Sequence, residues 1–176
     1  MPVINRAPSS ANVRIRPIRP DDWRELSRFY AELSAESRLA RFHAVSRGIG
    51  DEAASLLCGP DHVHREGFVA EPTDALPGNA GIVGHLCLEP ADSGLEMAVA
   101  VADDWQARGV GRALLLAALD WARAHGITLL SASMLSTNAA ILGLIASIGR
   151  PVRESTASAG VVIATIDVGR PLPKAA

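Results

Sequence analysis

Residues Val99–Arg112 read VAVADDWQARGVGR, and this stretch decides the fold of the chain. It begins with small and β-branched apolar residues, which are typical of a buried strand, and it leads through two glycines into a long apolar helix. Such a turn brings free backbone amides and the positive end of the helix dipole together. We therefore predict an anion-binding turn, in which Gly109 and Gly111 let a pyrophosphate approach the backbone. Arg108 and Arg112 can add charge-assisted hydrogen bonds.

Spacing separates this turn from two other phosphate-binding motifs. A Walker loop needs Lys followed by Ser or Thr after its last glycine, whereas Arg112 and Ala113 follow Gly111. A dinucleotide-binding fingerprint needs glycine or alanine where Leu114 stands. An ordinary glycine turn with solvated arginines remains as an alternative interpretation.

The predicted elements alternate in a way that indicates a mixed α/β sheet. A strand and helices come first, and three consecutive strands follow. A helix, a strand, a helix and two further strands complete the predicted order. The predicted strands are 13–18, 67–70, 82–88, 95–102, 128–134, 152–157 and 161–168. The predicted helices are 20–33, 37–45, 51–58, 112–125 and 138–148, and the segment 71–81 is predicted as a hairpin loop. Hairpins beside helical crossovers distinguish this pattern from a purely parallel fold.

Length and composition indicate one folded domain. The chain has 176 residues, of which 48% are hydrophobic and 20% charged, with a formal net charge of -2. We place this domain at 13–168, between loose tails at 1–12 and 169–176. The near-neutral charge argues against a nucleic-acid partner, and no apolar run approaches the roughly 20 residues of a membrane helix. We therefore expect no membrane partner and a cytoplasmic location.

Cysteine and histidine give no metal or disulfide pattern. Cys58 and Cys87 are too few for a disulfide framework. His62 and His64 share a loop without a cysteine partner, and His85 with Cys87 supplies only two potential ligands. We predict no metal site.

The hexapeptide Gln106–Gly111 has the form Gln/Arg-x-x-Gly-x-Gly/Ala at every fixed position. In this loop and in its predicted element order, the chain resembles the GNAT superfamily of acetyl-CoA-dependent N-acetyltransferases. The resemblance implies a mostly antiparallel sheet of about seven strands, with flanking helices and one splayed parallel strand pair. It also implies that acetyl-CoA is the cosubstrate. The residues implied to bind it are Gln106, Ala107, Arg108, Gly109, Val110, Gly111 and Arg112 at the pyrophosphate, and Val99, Ala100 and Val101 at the pantetheine arm.

A second landmark of that family is an asparagine that opens the next helix, here Asn138. The same residue type is also an ordinary helix N-cap, and one side chain can serve both roles. Many relatives carry a tyrosine seven residues later as general acid, but Ile145 stands there and leaves no obvious acid. Because a thiol like that of coenzyme A has a pKa of about 8.5, its thiolate can leave without one.

Glu96 is the candidate general base. An amine with a pKa of about 10.4 arrives as ammonium and must lose a proton before it attacks. Strand alternation places Glu96 on one face with Ala98, Ala100 and Ala102, where small side chains leave a groove. A single β-bulge would reverse this assignment beyond it. A solvated glutamate at a sheet edge is the alternative.

The function indicated is transfer of acetyl from acetyl-CoA to a primary amine. The strings at 33–42 and 96–99 are similar to those of bacterial protein-lysine acetyltransferases, which implies a protein lysine as acceptor. A small-molecule amine acceptor and a non-catalytic acyl-CoA sensor remain as alternatives. The oligomeric state also stays open, with a homodimer among the alternatives.

Overall fold

The computed structural model describes residues 12–74, 81–91, 94–156 and 160–169. In chain order, the elements are β1 (Val13–Pro17), α1 (Trp23–Glu32), α2 (Ala35–Phe42), α3 (Asp51–Leu57), β2 (Glu66–Pro72), β3 (Gly84–Ala91), β4 (Gly94–Val101), α4 (Val110–Ala124), β5 (Leu129–Leu135), α5 (Ala139–Ala146), β6 (Val152–Thr156) and β7 (Val161–Asp167). Single 3-10 turns at Pro20–Asp22 and Asp103–Trp105 precede α1 and follow β4.

The seven strands form one sheet in the order β1-β2-β3-β4-β5-β7-β6. All neighbouring strands are antiparallel except β4 and β5. That parallel pair is joined only at Leu95 with Leu130 and at Glu96 with Ser131, so the two strands diverge beyond Glu96. The predicted fold class, a mixed sheet with a splayed parallel pair and flanking helices, is confirmed.

The β4 strand divides its side chains between two hydrophobic clusters. One cluster contains α4 and receives Leu95, Met97 and Val99 from β4. The other contains α1 and receives Ala100. The register with β3 runs from Gly84–Val101 to Ala91–Gly94 without a bulge, so the predicted alternation continues along the whole strand.

The boundaries of several elements differ from the predicted ones. Helix α4 begins at Val110 rather than at 112, because Gly109 adopts a left-handed φ of 87° and serves as the N-cap residue. Strand β2 extends through Pro72 into the predicted loop 71–81, of which residues 75–80 lie outside the described part of the chain. The predicted tails also lie outside it, apart from residues 12 and 169.

Gly84 lets α4 approach the sheet. A Cβ atom at this position would lie 2.9 Å from Leu114 Cδ1 and 3.0 Å from Val110 Cγ1. We expect Gly84→Val to lower the free energy of unfolding by about 1–3 kcal/mol, since the core has to move to admit the side chain. Denaturant unfolding measures this change.

Gly143→Ala is the matched control, because no atom lies within 4 Å of a Cβ at that helical position. It should leave stability unchanged or raise it by about 0.5–1 kcal/mol. Equal stabilities of the Gly84 variant and the wild type would contradict this account of the packing.

Candidate active site

The divergence of β4 and β5 opens a cleft of about 660 Å³. Its walls come from both strands, from α2, from the turn after β4 and from α5. Nine of the predicted cosubstrate residues line it, namely Val99, Ala100, Val101, Gln106, Ala107, Gly109, Gly111, Arg112 and Asn138. The volume lies within the range of small-molecule sites.

The turn before α4 presents backbone amides to the cleft. Ala107 and Gly109 have φ angles of 56° and 87°, in the left-handed region. The first backbone hydrogen bond of the helix is donated by Ala113 N to Gly109 O at 3.0 Å, so the preceding amides have no acceptor within the helix. Amides arranged around left-handed residues at a helix start are typical of an anion-binding concavity. This geometry fits a pyrophosphate group.

The two arginines of the turn are placed differently. Arg112 lines the cleft. Arg108 is exposed, and its Cζ atom lies 5.5 Å from the centroid of the Trp105 ring. Val110 is 1% exposed and packs in the core, so its contribution to the turn is its backbone amide.

A hydrogen-bond network joins α2 to the turn. Asp103 accepts from Ser34 N at 2.8 Å and from the Ser34 and Ser37 hydroxyls at 2.7 Å each. Gln106 Nε2 donates to Ser37 Oγ at 3.0 Å and to Val101 O at 3.1 Å. The sequence indicated Gln106 but gave Asp103 no role, since its partners are more than 60 residues away.

Asp103 is expected to make a stability contribution that depends on pH. Partial burial acts to raise the pKa of Asp103, but hydrogen bonds from Ser34 and Ser37 outweigh it and lower that pKa. The pKa of Asp103 is therefore lower in the folded protein than in the unfolded chain. Its contribution to the free energy of unfolding is complete above the ordinary Asp pKa of about 3.9, and it is lost as the pH falls through the pKa of the folded state. We expect Asp103→Ala to cost about 1 kcal/mol at pH 6, a modest amount because the site is exposed.

Chemical unfolding at pH 6 and below pH 4 measures the Asp103 contribution. The difference between wild type and variant should shrink as the pH falls. Asp104→Ala, at the neighbouring exposed aspartate, is the control and should show little change at either pH. If the free energies of unfolding of wild type and Asp103→Ala differ by the same amount at all pH values, the charged carboxylate does not cause the difference.

Asn138 caps α5 and also lines the cleft. Its Oδ1 accepts from Ile141 N at 3.2 Å.

Ile145, at the position where relatives carry tyrosine, is 2% exposed and packs in the core. The only tyrosine, Tyr30, is fully buried, and its hydroxyl lies 2.8 Å from His85 Nδ1. Burial raises the pKa of Tyr30 to about 12, so this hydroxyl is a poor proton donor.

Glu96 lies at the point where β4 and β5 separate. Its side chain is half-buried, and Oε1 accepts from Ser133 N at 3.2 Å. If the parallel pairing of β4 and β5 continued as far as Ser133, the Ser133 amide would donate to a backbone carbonyl of β4 instead. Ser133 lines the cleft, whereas Glu96 lies just beyond the lining residues. The bond from Ser133 N therefore holds the carboxylate next to the cleft.

Helix α2 forms a further wall of the cleft. The lining residues from α2 are Glu36, Ser37, Ala40 and Arg41. Arg38 is directed elsewhere, because its guanidinium donates to the carbonyls of Ala31, Leu33 and Ser46. It thereby fixes the connection between α1 and α2. No motif places α2 on this side of the sheet, so only the tertiary structure shows the wall.

The described residues contain no group of three or more His, Cys, Asp or Glu side chains that could hold a metal ion. Among them, no helix combines the length and the apolar character needed to cross a membrane.

The splayed strand pair and the amide-bearing turn at the start of α4 define the class of acyl-CoA-dependent acyltransferases. The model of the acetyltransferase (GNAT) family matches residues 21–149, and the chain belongs to this family. It is thus an acetyl-CoA-dependent N-acetyltransferase.

Solved structures resemble this chain over most of its length. The GNAT domain of S. lividans PAT is 28% identical, with 88% of this chain and 90% of that chain covered and a TM-score of 0.77. The structure of yncA, a putative acetyltransferase from Salmonella typhimurium with its cofactor acetyl-CoA, is 20% identical, with 94% and 97% covered and a TM-score of 0.68. A phosphinothricin acetyltransferase from Sinorhizobium meliloti in complex with AcCoA is 14% identical, with 93% and 95% covered and a TM-score of 0.68. None of the curated proteins matches the chain.

Proposed function

We propose that this enzyme acetylates a protein lysine by direct attack within a ternary complex, with Glu96 as the general base. The observation that carries the proposal is the carboxylate of Glu96, anchored by Ser133 N at the fork between β4 and β5. From this fork the cleft extends along β4 toward the turn that fits a pyrophosphate. The proposed base therefore lies next to the cleft, away from the turn that fits the pyrophosphate.

The amine loses two protons, one before it attacks and one after the C–N bond has formed. The lysine ammonium loses the first proton to Glu96, directly or through water, and the amine nitrogen then attacks the thioester carbonyl carbon. The C–N bond forms, the C–S bond breaks, and coenzyme A leaves as thiolate. The nitrogen gives its second proton to this thiolate or to water, which leaves the neutral amide. Because a thiol of this kind has a pKa of about 8.5, the thiolate leaves without the tyrosine that Ile145 replaces.

Small side chains support lysine as the acceptor. Three alanines from different elements, Ala40, Ala98 and Ala132, are among the residues that line the cleft. We infer that such small side chains leave space for the four-carbon stem of a lysine.

The test uses a lysate and needs no guess about the acceptor. The purified protein is incubated with lysate and isotopically labelled acetyl-CoA, and mass spectrometry locates the label. We expect label on lysine side chains of a few proteins, and roughly a hundredfold less label or lower with Glu96→Gln at the same concentration. Label found only in small molecules would replace lysine with a small-molecule amine as the acceptor.

Thiol release with a panel of amines and peptides separates enzyme from sensor. Acetyl-CoA binding without turnover on any member of the panel would support the sensor alternative and contradict the proposed reaction. Turnover that requires Glu96 would support the enzyme.

A further inference from the structure

Arg41 presents a guanidinium to the cleft without a negative partner. Its Nη2 lies 3.5 Å from Cys87 Sγ, and its Cζ lies 5.9 Å and 5.0 Å from the ring centroids of Tyr30 and Phe42. The Nε atom is buried and has no hydrogen-bond partner among the described residues. None of the ion pairs in the described part of the chain includes Arg41.

The titratable side chains packed around the Arg41 guanidinium do not neutralise its charge. Burial raises the pKa of Tyr30 to about 12 and raises the pKa of the Cys87 thiol, so both groups are neutral near pH 7. Burial also lowers the pKa of His85 to about 3, so this ring is neutral as well. A half-buried cation with no anion in contact still carries a cost, and arginine is always charged. An anion supplied from outside the chain would remove this cost.

The position of Arg41 places that anion beside the reaction. Cys87 pairs with Ala98 across the β3–β4 ladder, so Arg41 lies over this pair on the face that β4 shares with Glu96. Glu96 is two residues further along the strand, which is about 7 Å. A group bound at Arg41 would therefore lie next to an amine that delivers its proton to Glu96.

We propose that Arg41 is a specificity-determining residue that binds a carboxylate carried by one of the two substrates, next to the site of acyl transfer. The planar guanidinium matches a carboxylate in geometry as well as in charge. This proposal rests on the proposed function for the position of the reacting groups. The carboxylate has two chemical sources: an acid on the acceptor, such as a glutamate beside the target lysine, or the end of a dicarboxylic acyl group.

The two sources are separated by substrate pairs that differ only in the carboxylate. Acceptor pairs are a Glu-Lys and a Gln-Lys peptide, and lysine and lysinamide. The acyl pair is succinyl-CoA and butyryl-CoA. Turnover is measured for each pair with wild type, Arg41→Met and Arg41→Lys. Arg28→Gln, at an exposed arginine of α1, controls for the loss of one positive charge.

We expect the wild type to prefer the carboxylate member of at least one pair by tenfold or more in kcat/KM. Arg41→Met should abolish this preference, and the loss should appear as a raised KM for the carboxylate member of the pair. Arg41→Lys should keep part of it, because it keeps the charge without the planar fork. Arg28→Gln should behave as wild type. Preference in the acceptor pairs identifies an acceptor acid, and preference in the acyl pair identifies a dicarboxylic acyl group.

Equilibrium binding keeps the test independent of turnover. Calorimetry compares succinyl-CoA with butyryl-CoA on the free protein, and the peptide pair on the protein saturated with coenzyme A. If no amine is acetylated but the carboxylate member still binds at least tenfold more tightly in an Arg41-dependent way, the proposed function fails and the carboxylate site stands. Equal affinities within every pair, or a preference that survives Arg41→Met, would overturn the proposal. An unchanged affinity for coenzyme A shows that the Arg41→Met protein is folded.

Discussion

Glu96→Gln should lower turnover by roughly 10²- to 10⁴-fold near neutral pH while acetyl-CoA affinity stays unchanged. The amide can still accept the bond from Ser133 N through its oxygen, so the side chain keeps its place at the fork. It cannot accept a proton from the substrate. Steady-state turnover and calorimetric affinity, measured on the same preparation, separate the loss of chemistry from any loss of binding.

The pH profile and a control variant sharpen the Glu96 prediction. The variant should recover part of its activity at high pH, because an amine with a pKa of about 10.4 then loses its proton without a base. Glu89→Gln is the matched control: Glu89 lies directly opposite Glu96 on β3, but its carboxylate is bound by Arg65. Wild-type turnover of Glu96→Gln at pH 7 would show that the amine loses its proton by another route.

Gly111→Val should weaken acetyl-CoA binding at least tenfold, which is about 1.4 kcal/mol. Gly111 lies in the first turn of α4 and lines the cleft. A Cβ there would already lie 3.2 Å from Leu144 Cδ2 and 3.7 Å from Val101 Cγ2. The branched side chain must therefore occupy space that belongs to the cleft. Calorimetry with acetyl-CoA measures the effect, and circular dichroism checks that the variant is folded.

A double variant distinguishes obstruction of the phosphate from displacement of α5. Leu144→Ala removes the atoms that a valine at 111 would meet first. If the valine blocks the pyrophosphate, Gly111→Val combined with Leu144→Ala should bind as weakly as Gly111→Val alone. Recovery to the affinity of Leu144→Ala alone would assign the loss to helix packing and contradict a pyrophosphate at this turn.

Local sequence was sufficient for the elements and for the glycine turn that we predict to bind the cosubstrate. The hexapeptide Gln106–Gly111 and its flanking strand and helix are contiguous, so their spacing is visible without a structure. The alternation of β4 was likewise predictable, since the strand carries no bulge against β3. The start of α4 was misplaced by two residues, because the left-handed Gly109 marks the N-cap and no pattern in the side chains reveals it.

The wall of the cleft that α2 forms, and the contact that holds Glu96, did not follow from local sequence. Ser133 donates to a carboxylate 37 residues away in the chain, and Arg41 contacts Cys87, 46 residues away. A serine in a strand and an arginine in a short helix have many ordinary explanations. Their significance depends on which strands are neighbours, and that is decided by the packing of the whole sheet.

The sequence by itself determined the order of helices and strands, the anion-binding turn and the candidate carboxylate at Glu96, because each depends on residues close together in the chain. The tertiary structure decided where the sheet opens, what holds Glu96 there and which helix faces it. The physical reason is that β4 and β5 pair at only two positions before they diverge, and the freed Ser133 amide then binds the Glu96 carboxylate. Long-range strand pairing of this kind leaves no local pattern in the sequence.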